Sequence, residues 1–188
     1  MINDIACVIL AGGKSSRMGQ DKALLPFGGY DSLAKYQYEK FSKIFKNVYI
    51  SAKENKFNFE CNLILDRYKE YSPMHALSSI FEVIDFENIF LISVDMPFFS
   101  RELVYNLKNN HKSQVTCYKL DNKIEPFGAI YNKTIKEIIK NQINLGELSL
   151  KKMIKKCETT FIEADNIYHF TNINYYDDYL KIAKNFNK

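Results

Sequence analysis

Lys14, Arg17 and Lys22 place three positive charges within nine residues, in a stretch that opens on Gly12-Gly13 and follows the apolar run Ile5 to Ala11. Adjacent glycines leave the main chain bare; they can adopt φ > 0 and let successive N–H groups turn inward as an anion nest. With three cations in the same loop, the fitting counterpart is a polyphosphate. Counting excludes the two common phosphate loops. A P-loop needs G-x-x-x-x-G-K-[ST], but Gly13 to Gly19 is one residue too long and Gln20-Asp21 follows Gly19. The dinucleotide fingerprint G-x-G-x-x-G fails because the first two glycines are adjacent. An ordinary flexible turn accounts for Gly-Gly but not for the three cations. A second charged position is Asp95, which closes the apolar run "IFLISV". A carboxylate is costly inside a sheet and useful at its rim, where Mg2+ takes one or two carboxylates together with phosphates and waters. Taken alone, Asp95 equally suits a turn or helix cap before Met96-Pro97.

The elements that must position these residues follow from periodicity. "IACVILA" (5–11) is apolar without alternation, as in a parallel strand covered on both faces. From Ser32 to Phe45, Leu33, Gln37, Phe41, Ile44 and Phe45 fall along one side, predicting a helix capped by Asp31 or Ser32. Strands are predicted at 47–52, 62–66 and 89–94, with a helix over 74–84. Ser100 caps a helix reaching about Asn109, with Glu102 in its first turn. "QVTCYKL" alternates and ends at an Asp121-Asn122 turn into "EPFGAIYN", whose proline and glycine mark an edge, a bulge or a ligand-facing strand. Helices near 133–142 and 149–156, a strand near 158–163, and a last helix presenting Tyr176, Tyr179, Leu180 and Ala183 complete the chain. Helices alternating with buried strands predict an α/β fold, a three-layer α/β/α sandwich with a mostly parallel sheet. In such sheets ligands gather at the carboxyl ends of the strands, where residues 12–22 lie.

Composition bounds the rest. A chain of 188 residues with 46% hydrophobic and 26% charged residues suits a single domain, 1–188, with one substantial core. No run approaches the roughly 18 apolar residues of a membrane span, and the N-terminus lacks a secretory signal, so a cytoplasmic setting without membrane association is expected. Cys7, Cys61, Cys117 and Cys157 are far apart and read as reduced, mostly buried thiols. The +4 charge is mild and the lysines are dispersed, which argues for a small anionic ligand over nucleic acid. His75, His111 and His169 are scattered and read as ordinary surface or partly buried residues.

"LAGGKSSRMGQDKALLPFGG" (10–29) resembles the signature L-A-G-G-x-S-x-R-M-G-x-D-K of the MobA-like nucleotidyltransferases, in particular of the molybdenum cofactor guanylyltransferases. "LISVDMP" matches the carboxylate expected at a strand end, and "TNINYYDDY" the N-x-N before a C-terminal helix, so the resemblance spans essentially the whole chain. It implies a Rossmann-like nucleotide-diphospho-sugar transferase fold and transfer of GMP from Mg-GTP to molybdopterin, with molybdenum bound, and release of pyrophosphate. It also implies partner proteins that deliver molybdopterin or receive the product. The nucleotide site would comprise Leu10, Ala11, Gly12, Gly13, Lys14, Lys22, Asp66 and Asp95. Lys22 would serve the α-phosphate and transition state, and Arg17, with its planar fork of donors, the departing β- and γ-phosphates. Asp95 and Asn174 would hold Mg2+, and Asn172 with Asn174 would meet the acceptor. Many relatives carry G-P-L-A-G where this chain has "SPMHA" (72–76), close to where the base should lie. L-A-G-G with Asp21-Lys22 favours the guanylyl branch, since cytidylyl relatives usually show L-A-A-G without the aspartate. The alternative is a related enzyme using CTP or another phosphorylated acceptor.

Overall fold

Ile5–Leu10 (β1) is apolar without alternation because both its faces are covered: Ile5, Cys7 and Ile9 enter one core cluster, Ala6 and Val8 the other. The computed structural model describes residues 1–13, 15 and 18–186. After β1 come α1 (Leu33–Ser42), β2 (Val48–Ala52), β3 (Asn62–Leu65), α2 (Pro73–Val83), β4 (Asn88–Ser93) and α3 (Arg101–Asn110). β5 (Val115–Leu120), β6 (Lys123–Asn132), α4 (Lys136–Asn144), α5 (Leu150–Ile154), β7 (Thr159–Glu163) and α6 (Tyr176–Phe186) follow. The sheet order is β3-β2-β1-β4-β6-β5-β7, with β6 antiparallel to both its neighbours and the other pairs parallel. α1, α3 and α6 cover one face and α2, α4 and α5 the other, which is the expected three-layer α/β/α sandwich. Strand order reverses at β1, so the crevice beyond the carboxyl ends of β1 and β4 is the topological switch point where such sheets bind ligands.

Helix starts follow local chemistry. Ser32, Ser72 and Ser100 each accept a main-chain N–H in the first turn of α1, α2 and α3. The face predicted for α1 is buried throughout, and Gln37 goes in with it. Aromatic rings fill the α1/α3 side, with Phe45 stacked on Phe90 at 5.3 Å and Phe99 5.7 Å from Phe90.

Departures from expectation are local. β6 starts at Lys123 and carries Pro126 inside it, because the β5–β6 register shifts between Thr116 and Tyr118. The residues beyond Glu125 thereby bulge out of the ladder, and the Tyr131 hydroxyl donates to the Pro126 carbonyl at 2.6 Å. Asp121 and Asn122, with φ of 48° and 63°, form the hairpin turn. Two short 3-10 turns, Lys22–Leu24 and Ile167–Phe170, have too few residues for a periodic signal. On α6 only part of the predicted face is buried: Tyr179 and Ala183 are, whereas Tyr176 and Leu180 are 40% and 49% exposed. The helix is anchored at the periphery, with the Tyr179 hydroxyl donating to Pro26 O at 2.7 Å. His75, expected at or near the surface, is buried with its ring stacked on Tyr68 at 4.3 Å.

Gly128 has φ of +63°, and a Cβ there would lie 2.2 Å from the Phe99 ring. Gly128→Ala therefore combines left-handed strain with overpacking, and should cost about 3 kcal/mol, lowering Tm by roughly 6–12 °C in a melt followed by circular dichroism. All four cysteines are free; burial pushes the Cys117 thiol up to about 12 and Cys7 well above its usual range. Alkylation at pH 8 should label Cys61 first and reach Cys7 and Cys117 only on unfolding, as peptide mass mapping would show.

Candidate active site

β1 and β4 lie side by side, with Leu10 opposite Ser93 and Val94 N donating to Leu10 O at 3.0 Å. Their ends therefore deliver the glycine-rich loop and Asp95 to one place. A cavity of about 370 Å³ opens there, lined by Leu10 to Gly13, Lys22, the ends of β2 and β4, Asp66 and Phe127. Lys22 and Asp95 meet across its rim in an ion pair, with side chains 17% and 10% exposed.

Asp95 is held through its main chain. Gln37, fully buried on α1, donates from Nε2 to Val94 O at 3.2 Å and to Met96 O at 3.0 Å, while Ile173 N donates to Asp95 O at 2.9 Å. Lys40, one turn further along α1, donates to Pro97 O at 2.6 Å, and burial pulls its ammonium down to about 8. Four consecutive carbonyls, from Val94 to Pro97, are thus fixed, and the carboxylate is aimed rather than free to swing. Its Oδ1 is buried and has no hydrogen-bond partner among the described residues, an arrangement suited to a cation ligand. Among the described residues no three His, Cys, Asp or Glu side chains come together, so the donor set fits Mg2+, which needs few carboxylates, better than an all-protein metal cage. Burial raises the carboxyl of neighbouring Glu125; Lys151 opposes that and the charge of Asp95 adds to it.

Of the residues that the resemblance assigns to the nucleotide, Leu10, Ala11, Gly12, Gly13, Lys22 and Asp66 line the cavity, whereas Asp95 is not part of its lining and is joined to it through Lys22. Gly12 and Gly13, however, do not take positive φ; among the described residues of this loop the left-handed ones are Ser15 and Gly19, at 47° and 68°. The chain leaves β1 still extended, with Ala11 N donating to Ser51 O at 2.8 Å. What glycine contributes at 13 is openness, since a Cβ there would meet nothing within 4 Å. Lys14 and Arg17 lie outside the described residues. Asn172 and Asn174 do not line the cavity; the Ile173–Asp95 hydrogen bond sets them beside the acid on another side. Asp66 is more engaged than a free ligand would be. Its Oδ1 accepts from Tyr68 N and Ser79 Oγ, each at 3.0 Å, and its Oδ2 pairs with Lys53 at 2.7 Å.

Two lysines escaped the sequence reading. Lys53, also lining the cavity, donates to Tyr68 O at 2.5 Å and Glu70 O at 2.6 Å and braces the wall leading to Tyr71 and Ser72. Lys56 reaches Ala11 and Asp21 on the opposite wall. Both belong to "AKENKF", directly after β2, and the rule that chemistry gathers at carboxyl strand ends would have found them. In "SPMHA", Ser72 caps α2, and Ser72, Pro73 and Ala76 face the cavity.

The chain resembles proteins of known family. A molybdenum cofactor guanylyltransferase of Campylobacter jejuni subsp. doylei is 39% identical over 186 residues, covering 96% of each chain. One of Helicobacter pylori is 33% identical over 187 residues, covering 95% of this chain and 88% of the relative. In fold, the chain superposes on the crystal structure of molybdopterin-guanine dinucleotide biosynthesis protein A from Archaeoglobus fulgidus with a TM-score of 0.81, at 19% identity, over 96% of this chain and 97% of that one. A model of the MobA-like NTP transferase domain matches residues 7–160, which hold the glycine loop, Lys22, Asp66 and Asp95. This chain belongs to the MobA-like NTP transferase family, among relatives that are molybdenum cofactor guanylyltransferases.

Proposed function

We propose that the protein, acting as a single nucleotidyltransferase domain over 1–188, transfers GMP from Mg-GTP to the terminal phosphate of molybdopterin, with molybdenum bound. The products are the molybdopterin guanine dinucleotide cofactor and pyrophosphate. The observation that carries this reading is the ion pair between Asp95 and Lys22, a lysine that lines the same cavity as Gly12 and Gly13. Relatives with the same name at 33–39% identity support the choice of substrates.

In the reaction an oxygen of the acceptor's phosphate attacks the α-phosphorus of GTP, a new P–O bond forms, and the bond to the bridging oxygen breaks as pyrophosphate leaves. Positioning and charge neutralisation supply most of the catalysis in such transfers. Lys22 brings its ammonium to the α-phosphate and offsets the charge that grows on its oxygens. Arg17 and Lys14 take the β- and γ-phosphates, stabilising the leaving pyrophosphate. Asp95, through its unpaired Oδ1, and Asn174 hold Mg2+. Bound Mg2+ supplies Lewis-acid neutralisation of the phosphate oxygens. Asn172 and Asn174, flanking the residue that bonds Asp95 O, orient the acceptor. Asp66, with Lys53, shapes the side of the cavity that receives sugar and base. The same reading includes a cytoplasmic setting and partner proteins that supply molybdopterin and accept the product.

Incubation with Mg2+, molybdopterin and GTP should release pyrophosphate, measured by a coupled phosphate assay; activity with CTP and not GTP would move the protein to the cytidylyl branch. A thermal-shift panel with Mg2+ should show the largest rise for GTP among GTP, CTP, UTP and ATP. Lys22→Ala should lower kcat by about 10³-fold with an unchanged circular dichroism spectrum, and full activity in that variant would remove Lys22 from the α-phosphate.

A further inference from the structure

We propose that Lys56 is a positioning residue: its ammonium clasps the glycine loop at both ends and neutralises Asp21, so that Lys22 is presented to Asp95 and the loop keeps a positive field. For its kinetic consequences this rests on the nucleotidyl transfer proposed above; the clasp itself does not.

Lys56 Nζ donates to Ala11 O at 2.8 Å and is paired with Asp21 Oδ2. Ala11 is the residue before the loop 12–20 and Asp21 the residue after it, so one ammonium spans the base of the whole loop. Asp21 then passes the constraint on. Its Oδ1 accepts from Ala23 N at 3.0 Å and caps the 3-10 turn on which Lys22 rides, while Lys22 N donates to Ser15 Oγ at 3.2 Å. From Lys56 to the Lys22–Asp95 pair there is an unbroken run of hydrogen bonds and covalent backbone.

Electrostatics gives the second reason. Asp21 lines the cavity directly after the loop proposed to hold a polyphosphate, and an uncompensated carboxylate there would repel the ligand. Lys56, 15% exposed, cancels that charge in a part-buried setting where screening by salt is weaker than at the open surface. An exposed ion pair in the same place would do little. Ala11 O, held by the same ammonium, is kept from turning with the loop, which leaves the bare main chain of Gly12 and Gly13 facing the cavity.

The test compares Lys56→Met, Lys56→Arg, Asp21→Asn and the Lys56→Met/Asp21→Asn double variant. Calorimetry with Mg-GTP should give a Kd raised about tenfold in Lys56→Met, and kcat/KM for pyrophosphate release lowered by about 10²-fold, whereas Lys56→Arg should stay within about fivefold of wild type. Adding Asp21→Asn to Lys56→Met should recover at least about threefold in affinity, because the stranded carboxylate is gone, while kcat stays low. Asp21→Asn alone should leave the Kd within about threefold and still reduce kcat, and this variant serves if Lys56→Met does not fold. A salt bridge with only a structural role predicts losses that follow Tm and no recovery in the double variant; that result overturns the proposal. Amide hydrogen exchange over 11–24 should be at least about tenfold faster in Lys56→Met, and unchanged exchange overturns the clasp whatever the enzyme does. If wild type neither binds a nucleotide nor releases pyrophosphate, the functional reading fails, and the exchange rates still decide the clasp.

Discussion

Lys22 and Asp95 form the interaction on which the rest of the structure depends. Each is largely withdrawn from water, Asp95 just past the end of β4 and Lys22 on the 3-10 turn that follows the glycine loop, and a lone buried charge there costs several kcal/mol, so each requires the other or a ligand of opposite sign. The parallel pairing of β1 with β4 brings them to one level, and the reversal of strand order at β1 opens the crevice in which they face each other. A pair that is stable because its partners have nowhere else to go is well placed to be exchanged: a triphosphate offers Lys22 a new anion, and a divalent cation offers Asp95 a new cation. The same electrostatic constraint that shapes the fold at this rim is thus the one the proposed chemistry uses.

Much of the surrounding architecture serves to keep that pair aimed. Helix α1 reaches the turn after β4 twice, through Gln37 and Lys40, and the segment before α6 reaches it once through Ile173. The segment between β2 and β3 sends Lys53 to one wall of the cavity and Lys56 to the other. Side chains from α1 and from the β2–β3 loop do the orienting, while the sheet, buried on both faces and close-packed, supplies the rigidity against which they work. The bulge at Pro126–Gly128 has a related effect, since it re-aims β6 so that Phe127 closes the cavity beside the β4 end.

How much of this was legible beforehand depended on the range of the interactions. Strands β1 and β4 could be read from unbroken apolar runs, α1 and α2 from their periodicity and α3 from its Ser100 cap, because each signal is local. Asp95 and Asp66 stood out as carboxylates ending apolar runs, which is again a neighbour relation in sequence. The 3-10 turns, the length of β6 and the burial of His75 were not legible, because each depends on what packs against it: Tyr68 over the imidazole, and β5 slipping its register beside Pro126. The outward Tyr176 and Leu180 on α6 show the same limit, since amphipathic spacing names a face but not how much of it a neighbour will cover.

The sequence by itself determined the fold class and singled out the glycine-rich loop and Asp95, since hydrophobic periodicity, capping residues and motif spacing are encoded within a few residues of one another. Only the tertiary structure decided that Asp66 is committed to Lys53, Tyr68 and Ser79, that Gly13 serves by openness and neither Gly12 nor Gly13 by left-handed geometry, and that Lys56 spans the base of the loop. The physical reason is distance along the chain. Lys56 is 35 residues from Asp21 and Lys22 is 73 from Asp95, and partners so separated are chosen by strand order and packing, which no local pattern records.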